Sequence, residues 1–407
     1  MDYAFYILIA IPIFITTMIV EFLIGKKHGK KLYTFNDSIT NLTIGIGNQV
    51  IGLFIKILIL WLYVIIYENF SPISYENKLT AFLVGTILFD FIFYWAHRWG
   101  HEINIFWGAH IVHHQSEQYN LSVALRQSWF HNLLSFWMFI PIAILGVDPV
   151  TFMAVSAVSI LYQYWIHTKL IGKLGWLEYI LNTPSAHRVH HATNPDYLDK
   201  NYGAIFIIWD RMFGTYQEEI EEPSYGITKP FLSWNPIWAN LHFYKELLQY
   251  IKKHKEKLLD LLITKGPADL NKDKIEQTDK IFFKIEIQKK WKIYVFLNFS
   301  LAMLGLAAFM LYFEQLAWIY RIALGTSIIW TIWSCGKFLE QKSIVKILEL
   351  PRILIAAAFL NLLYYFEFSD WWNLFVIISS IITVLLCAWF VIQWRNTNLQ
   401  IGSNNFQ

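Results

Sequence analysis

Residues 79–114 read LTAFLVGTILFDFIFYWAHRWGHEINIFWGAHIVHH. The first half, Leu79 to Ala96, is almost wholly apolar and close to the ~20 residues that carry a helix across a bilayer. The second half packs five histidines into the eighteen residues His97–His114. A helix that leaves a membrane and at once presents imidazoles decides the architecture. His97 and His101 are four residues apart, and His110, His113 and His114 stand at i, i+3 and i+4, positions that share a helical face. A second run, His187-Arg-Val-His190-His191, repeats that close about seventy residues later. Each run aims two or three imidazoles at a common point. Eight such side chains are too many for one metal ion and suit two.

Outward from this stretch, composition sets the class. The chain of 407 residues is 56% hydrophobic and only 15% charged, against ~25% charged in an ordinary soluble domain. That predicts an all-α, polytopic integral membrane protein and excludes a soluble enzyme with a large core. Aromatic residues reach 18%, as expected of belts at the membrane interface. Cys335 and Cys387 fall in or near apolar segments, so neither a disulfide framework nor a thiolate zinc site is expected. A net charge of +3 gives no nucleic-acid signal.

Apolar runs at 4–24, 43–67, 79–96, two within 133–166, then 291–313, 316–334, 350–366 and 371–393 predict about nine transmembrane helices. The first is read as a retained helix, since it has no basic lead and no cleavage site. The basic cluster Lys26–Lys31 places its end on the cytoplasmic side by the positive-inside rule. Threading the spans from there brings both histidine runs to that same face, with 133–166 a hairpin that joins them. The predicted divisions are 1–78 (N-terminal transmembrane helices), 79–230 (catalytic region), 231–290 (basic amphipathic segment), 291–394 (C-terminal transmembrane helices) and 395–407 (a polar, disordered tail).

Neutral imidazole is a good ligand for iron, zinc and copper. Few carboxylates accompany the histidines, so a nitrogen-rich bimetallic site is expected, unlike the Glu-rich di-iron bundles of soluble proteins. Asp90 lies seven residues before His97, two turns deeper on the same face. It reads either as the partner that fixes a ligand's tautomer or as a bond to a neighbouring helix. Asp199 and Asn201 are placed for a similar supporting part. His167, emerging from the hairpin, reads equally as a ninth ligand or as structural. His28, His242 and His254 are expected to be solvated, and His131 structural. Trp95, Trp99 and Trp107 are expected as interfacial anchors. Spacing alone makes Glu102 a solvated residue of a helix face.

The residues between the histidines carry a resemblance. His97-Arg…His101-Glu102, His110…His113-His114-Gln-Ser-Glu-Gln-Tyr-Asn120-Leu-Ser-Val-Ala-Leu-Arg126-Gln-Ser128, Gln163-Tyr-Trp-Ile-His167-Thr168, Asn182-Thr-Pro-Ser-Ala-His187-Arg-Val-His-His191, Asp199-Lys-Asn-Tyr-Gly203 and Ile208-Trp-Asp210…Gly-Thr215 resemble the fatty acid hydroxylase superfamily. These are membrane di-iron enzymes that include sterol desaturases. Within them the wording is similar to the alkylglycerol monooxygenase branch, over about residues 80–230. The resemblance implies two iron ions, tetrahydrobiopterin and O2. It implies hydroxylation of the carbon beside the ether oxygen of a glyceryl ether lipid, which collapses to a fatty aldehyde and a glycerol derivative. It makes His97, His101, His110, His113, His114, His187, His190 and His191 the ligands, and gives Glu102 a role in activity and with the pterin. The expected partners are an ether lipid and the bilayer of a bacterial inner membrane or endoplasmic reticulum, with the site on the cytoplasmic side. A sterol or fatty-acyl hydroxylase or desaturase is the alternative. A histidine-rich metal transporter is a remoter one, since it needs ionisable residues at the midplane of several spans.

Overall fold

The computed structural model describes residues 3–254, 283, 285–367 and 372–395. Most of the Lys-rich segment Lys252–Lys290, and the tail after Arg395, lie outside the described residues. Those described form α-helices and short 3-10 turns. Their β-pairing is confined to the isolated bridges Leu181–Phe206 and Ala192–Tyr225.

In chain order the helices are α1 (Tyr3–Lys27), α2 (Phe35–Phe70), α3 (Lys78–Glu102), α4 (Asn104–His114), α5 (His131–Ser135), α6 (Ile140–Ile144) and α7 (Pro149–Trp165). They continue with α8 (Pro184–His190), α9 (Ile208–Phe213), α10 (Pro236–His254), α11 (Lys289–Tyr312), α12 (Trp318–Leu339), α13 (Ile344–Glu367) and α14 (Trp372–Arg395). Among the described residues five helices have the length and apolarity to cross a membrane: α2, α3, α11, α12 and the Val376–Gln393 part of α14. The chain is therefore a multi-helix membrane protein.

The sequence-predicted hairpin at 133–166 takes a different form. Its first arm is not one helix but two five-residue helices, α5 and α6, joined by a 3-10 turn, with Pro141 opening α6. Its return arm, α7, has 17 residues and starts on Asp148, whose side chain accepts from the amides of Val150 and Thr151 at 3.1 Å each. Between the arms Gly146 holds φ +89°, and a Cβ there would lie 2.6 Å from the Ile73 carbonyl oxygen. Only glycine meets both demands.

Polar residues on the long helices bind the loops that carry the histidine runs. On α1, Glu21 is buried. It accepts from the Leu121 amide at 2.9 Å and from the hydroxyls of Tyr33 and Thr168. On α2, Asp37 accepts from the Ser116 hydroxyl at 2.9 Å and Asn48 donates to the Ser128 carbonyl at 2.7 Å. Gly47 lets the Trp129 ring lie directly on α2, since a Cβ there would meet that ring at 2.2 Å.

Helices α11 and α12 pack on the first half of α2 around Val295, Phe309, Ile332 and Leu339. Within this apolar bundle α13 buries a charged pair. Glu349 and Arg352 meet at 2.6 Å, with side chains 1% and 6% exposed. Ser334 and Tyr294 donate to Glu349, while Arg352 reaches Thr331 at 3.0 Å and Asn298 at 2.5 Å. Desolvating two ions is costly unless every valence is met, and breaking such a pair costs about 3–5 kcal/mol. We predict a loss of that size for Arg352→Ala, read as earlier thermal unfolding in detergent. The Glu349→Leu/Arg352→Met double replacement should recover most of the loss. Unfolding of Arg352→Ala at the parent temperature would contradict this account.

Candidate metal centre

Helix α3 does not run on into α4. Ile103 between them is extended, at φ −117° and ψ 126°. The break folds α4 back along α3, and Gly100 admits the His110 ring, whose Cγ would be 3.4 Å from a Cβ at that position. The predicted histidines of α3 and α4 thereby face one another. Helix α8 brings the second run. Its Thr183 side chain caps the Ala186 amide at 3.4 Å, and Pro184 opens it. His167 arrives from the end of α7.

The structure gathers all nine candidate histidines and divides them into two groups. His97, His101, His110, His114 and His190 form one; His113, His167, His187 and His191 form the other. Within each group one nitrogen per ring lies within 4.8 Å of the others. Eight of the nine are buried, and His101 is half-buried. The division differs from the expectation that each run aims at one point. The i, i+4 pairs His97/His101, His110/His114 and His187/His191 stay together, whereas His113 and His190 cross to the opposite group. Neighbours on a helix diverge by about 100°. His113 and His114 therefore present rings at 85° to each other, and His190 and His191 at 90°. Each His-His pair serves both groups.

Backbone carbonyls orient the rings. The Nδ1 of His97 donates to the Tyr202 oxygen at 2.7 Å and that of His113 to Arg126 at 3.1 Å. The Nδ1 of His167 donates to Gln163 at 2.7 Å and that of His190 to Lys200 at 2.9 Å. In each, the Nδ1 proton is fixed and the Nε2 lone pair is turned inward, the tautomer a metal ligand requires. His101 has a carboxylate instead, with its Nδ1 3.6 Å from Asp199.

The donor set fits a bound cation. The Nε2 atoms of His113 and His167 stand 3.2 Å apart. Both rings already donate through Nδ1, so two lone pairs face each other. Burial pushes His113 well below the ordinary imidazole range and His167 down to about 4, so neither is protonated at neutral pH. The Nε2 atoms of His187 and His167 also stand 3.0 Å apart, and in the first group those of His97 and His114 each stand 3.0 Å from that of His110. The Nε2 atoms of His101, His190 and His191 are buried without a hydrogen-bond partner. A metal ion in each group resolves these contacts.

The loop after α8 supplies two of the orienting carbonyls and is held by three polar side chains. Asp199 and Asn201 adopt left-handed φ of 58° and 57°, a region Asn and Asp tolerate. The Asn201 side chain donates to Ala186 at 2.9 Å and Gln217 at 2.7 Å. Asp210 accepts from the amides of Tyr202 at 2.7 Å and Gly203 at 2.8 Å. Asp90 accepts from the amides of Ile205 at 2.8 Å and Phe206 at 3.1 Å, and from the Trp209 indole at 2.9 Å. Asp90 therefore acts on the loop whose Tyr202 carbonyl holds His97, and not on a histidine ring. Glu102 ends α3, paired with Arg98 at 3.1 Å and with 21% of its side chain exposed.

Sequence reasoning passed over several contributors. Arg126 is fully buried. It donates to Val112 at 2.6 Å, Asn41 at 3.0 Å and Gln115 at 2.5 Å, while its own carbonyl takes the His113 proton. The Trp107 ring, expected as a membrane anchor, lies 5.1 Å from that of His101. His131 stands 5.9 Å from His110. His28 is exposed as expected. The His242 expectation is corrected, because its ring is buried against Phe231 at 4.7 Å and its Nδ1 bonds the Ala239 carbonyl at 3.1 Å. The side chain of His254 lies outside the described residues.

Residues 82–215, which hold all nine histidines, match the model of the family described as fatty acid hydroxylase. Alkylglycerol monooxygenase from Homo sapiens is 40% identical over 247 residues, 58% of this chain and 54% of that one. The Danio rerio alkylglycerol monooxygenase is 42% identical over 234 residues, 56% of this chain and 52% of its own. An ornithine lipid hydroxylase from Rhizobium tropici is 29% identical over 151 residues, 37% of this chain and 45% of its own. The chain spans about half the length of the alkylglycerol monooxygenases it matches. No solved structure matches. Residues 82–215 are thus similar to the fatty acid hydroxylases, and the chain is similar over somewhat more than half its length to the alkylglycerol monooxygenases.

Proposed function

We propose that this chain is an O2-dependent membrane monooxygenase that hydroxylates the carbon next to the ether oxygen of a glyceryl ether lipid, releasing a fatty aldehyde and a glycerol derivative. The observation that carries the reading is the pair of convergent imidazole groups in a chain similar to alkylglycerol monooxygenases. His97, His101, His110, His114 and His190 would hold one iron, and His113, His167, His187 and His191 the other. Bound there, the metal pair supplies the binding and reduction of O2. In the net reaction one oxygen atom enters the C–H bond and the other leaves as water. The two electrons and two protons this needs come from a reductant of the tetrahydrobiopterin class.

The protein's own residues position and shield. The carbonyls of Tyr202, Arg126, Gln163 and Lys200 keep the Nε2 lone pairs inward. Asp90 is a positioning residue for the first group, through the loop it clamps. Glu102, paired with Arg98 at 3.1 Å, would serve activity and the pterin. Trp99, Phe106 and Trp137 form an aromatic patch, with ring centroids 6.0–6.4 Å apart, on chain segments that neighbour His97–His110 and His131 in sequence. A lipid tail would approach along this patch while its polar head stays at the interface. The site belongs to the cytoplasmic face, and α1, α13 and the broken hairpin would complete about nine membrane passages. The chain would divide into 1–78, 79–230, 231–290, 291–394 and 395–407.

Membranes containing the protein should release aldehyde from an alkylglycerol only when O2 and a reduced pterin are both supplied. Full activity with another reductant and no pterin would remove the pterin, and hydroxylated sterol or acyl product without aldehyde would remove the ether substrate. Metal content gives a second test, because the purified protein should hold about two ions, one for each histidine group. The His110→Ala/His114→Ala pair lies within one group and should retain about one ion, whereas His113→Ala/His114→Ala touches both and should lose both. Equal metal loss in the two doubles would refute the division. Either double should lower aldehyde release by more than about 100-fold, beyond the 10–100-fold typical of a supporting residue.

A further inference from the structure

Leu79, Leu83 and Ile87 are exposed and stand four residues apart, so they form one outward stripe of the membrane-length helix α3. The same spacing carries the stripe on to Phe91 and Trp95, and there α9 lies on it. The Phe91 ring is 5.1 Å from that of Trp209, and the Trp95 ring 5.0 Å from that of Phe213. The hydrocarbon layer of a bilayer takes about 20 helical residues at ~1.5 Å each. Counted from Leu79, that layer reaches to the neighbourhood of Trp99, so Phe91 and Trp95 fall inside it. Helix α9 is therefore held at the depth of the lipid, on the flank of a spanning helix.

The outer face of α9 suits that depth. Ile208 and Met212, four residues apart, are exposed, Met212 to 64%. The turn 175–179 lies beside them, since Arg211 donates to the Glu178 carbonyl at 3.0 Å and its guanidinium covers the Tyr179 ring at 4.8 Å. This turn presents Tyr179 and Trp176, the latter 71% exposed. Amphipathic rings and an arginine at the edge of an apolar face are the chemistry of the membrane interface. Non-helical backbone is tolerated at that depth only where the protein satisfies it, and here it does. The amides of Ile205 and Phe206 donate to Asp90 at 2.8 and 3.1 Å, and that of Ile207 to the Ile180 carbonyl at 3.0 Å. The Gly203 carbonyl accepts from the Asn182 side chain at 2.5 Å. A loop bathed in water would not need a carboxylate from the middle of a span to bond its amides.

We propose that residues 176–182 and 203–213 form a re-entrant ledge embedded in the bilayer leaflet on the histidine side, with Trp176, Ile208 and Met212 against lipid. The partner is lipid and not a second copy of the chain, because the face continues the outward stripe of a spanning helix. The ledge carries the loop whose Tyr202 carbonyl holds His97, so the depth of that loop is set by the membrane. The proposal is independent of the reaction proposed above.

Nitroxide labels at Met212→Cys, Trp176→Cys and Ile220→Cys test it. The labels are placed in a Cys335→Ala/Cys387→Ala background, in nanodiscs of phosphatidylcholine and phosphatidylglycerol, and read by power-saturation EPR with O2 and a water-soluble nickel chelate. Ile220, 79% exposed beside Glu218, Glu219, Glu221 and Glu222, is the water reference. The ratio of O2 to nickel accessibility should be about fivefold higher at position 212 than at 220, and about twofold higher at 176, nearer the interface. Ratios equal to that at 220 overturn the proposal. Low accessibility to both reagents at 212 and 176 also overturns it, since that marks a protein partner. Should the background not fold, the same three substitutions in the otherwise unaltered chain are treated, in opened membranes, with a water-soluble maleimide. Met212→Cys and Trp176→Cys should then react about tenfold more slowly than Ile220→Cys, and equal rates overturn the ledge.

Discussion

The bond on which the site depends is the one from a buried imidazole Nδ1 to a backbone carbonyl. Four such bonds fix four rings, and a ring fixed on one side has only its lone pair to offer on the other. Everything near the centre keeps those carbonyls in place. Arg126 spends its guanidinium on Val112, Asn41 and Gln115, so its own carbonyl stands still for His113. Asp90, Asn201 and Asp210 do the same for the loop carrying Lys200 and Tyr202. The cost is a set of buried polar groups, each acceptable because it is bonded. The return is that facing lone pairs are held at about 3 Å in a dry pocket, where only a cation makes the contact favourable.

Much of this was legible in the chain. Apolar runs give long helices, and those at 43–67, 79–96, 291–313 and 316–334 correspond to α2, α3, α11 and α12. Histidine spacing picks out eight of the nine rings that converge, and leaves His167 open between a ninth ligand and a structural role. The division of the rings was not legible, because i+3 and i+4 both count as one face in a periodicity argument. Which of them converges depends on where the third and fourth walls stand. Asp90 reads in the sequence either as a ligand's partner on its own helix or as a bond to a neighbouring one, and the second is met in part by Trp209 of α9. Its other partner is a loop more than a hundred residues later, and no local pattern announces it. His242 was misjudged for the opposite reason. Its Lys-rich sequence neighbours imply water, yet α10 turns that face toward α4. The hairpin shows a further limit, since hydropathy finds an apolar arm but cannot see that Pro141 and its 3-10 turn break it.

Two polar networks lie in the apolar bulk, and they differ in kind. The one around Arg126 and Asp37 adjoins the histidines and acts on their geometry. The one around Glu349 and Arg352 ties α11, α12 and α13 to one another. These helices lie outside the matched residues 82–215, yet α11 and α12 pack on α2, the helix that carries Asp37, Asn41 and Asn48. Bundle and centre thus share one structural member.

The adjacent histidines of α4 and α8 have a mechanical consequence. Because His113 and His114 leave one short helix toward different groups, as do His190 and His191, neither group can be adjusted by itself. A small rotation of α4 about its axis that tightens one cage loosens the other. The two cages behave like pans on a common beam, so their separation and relative tilt are properties of the scaffold, set before anything enters either one.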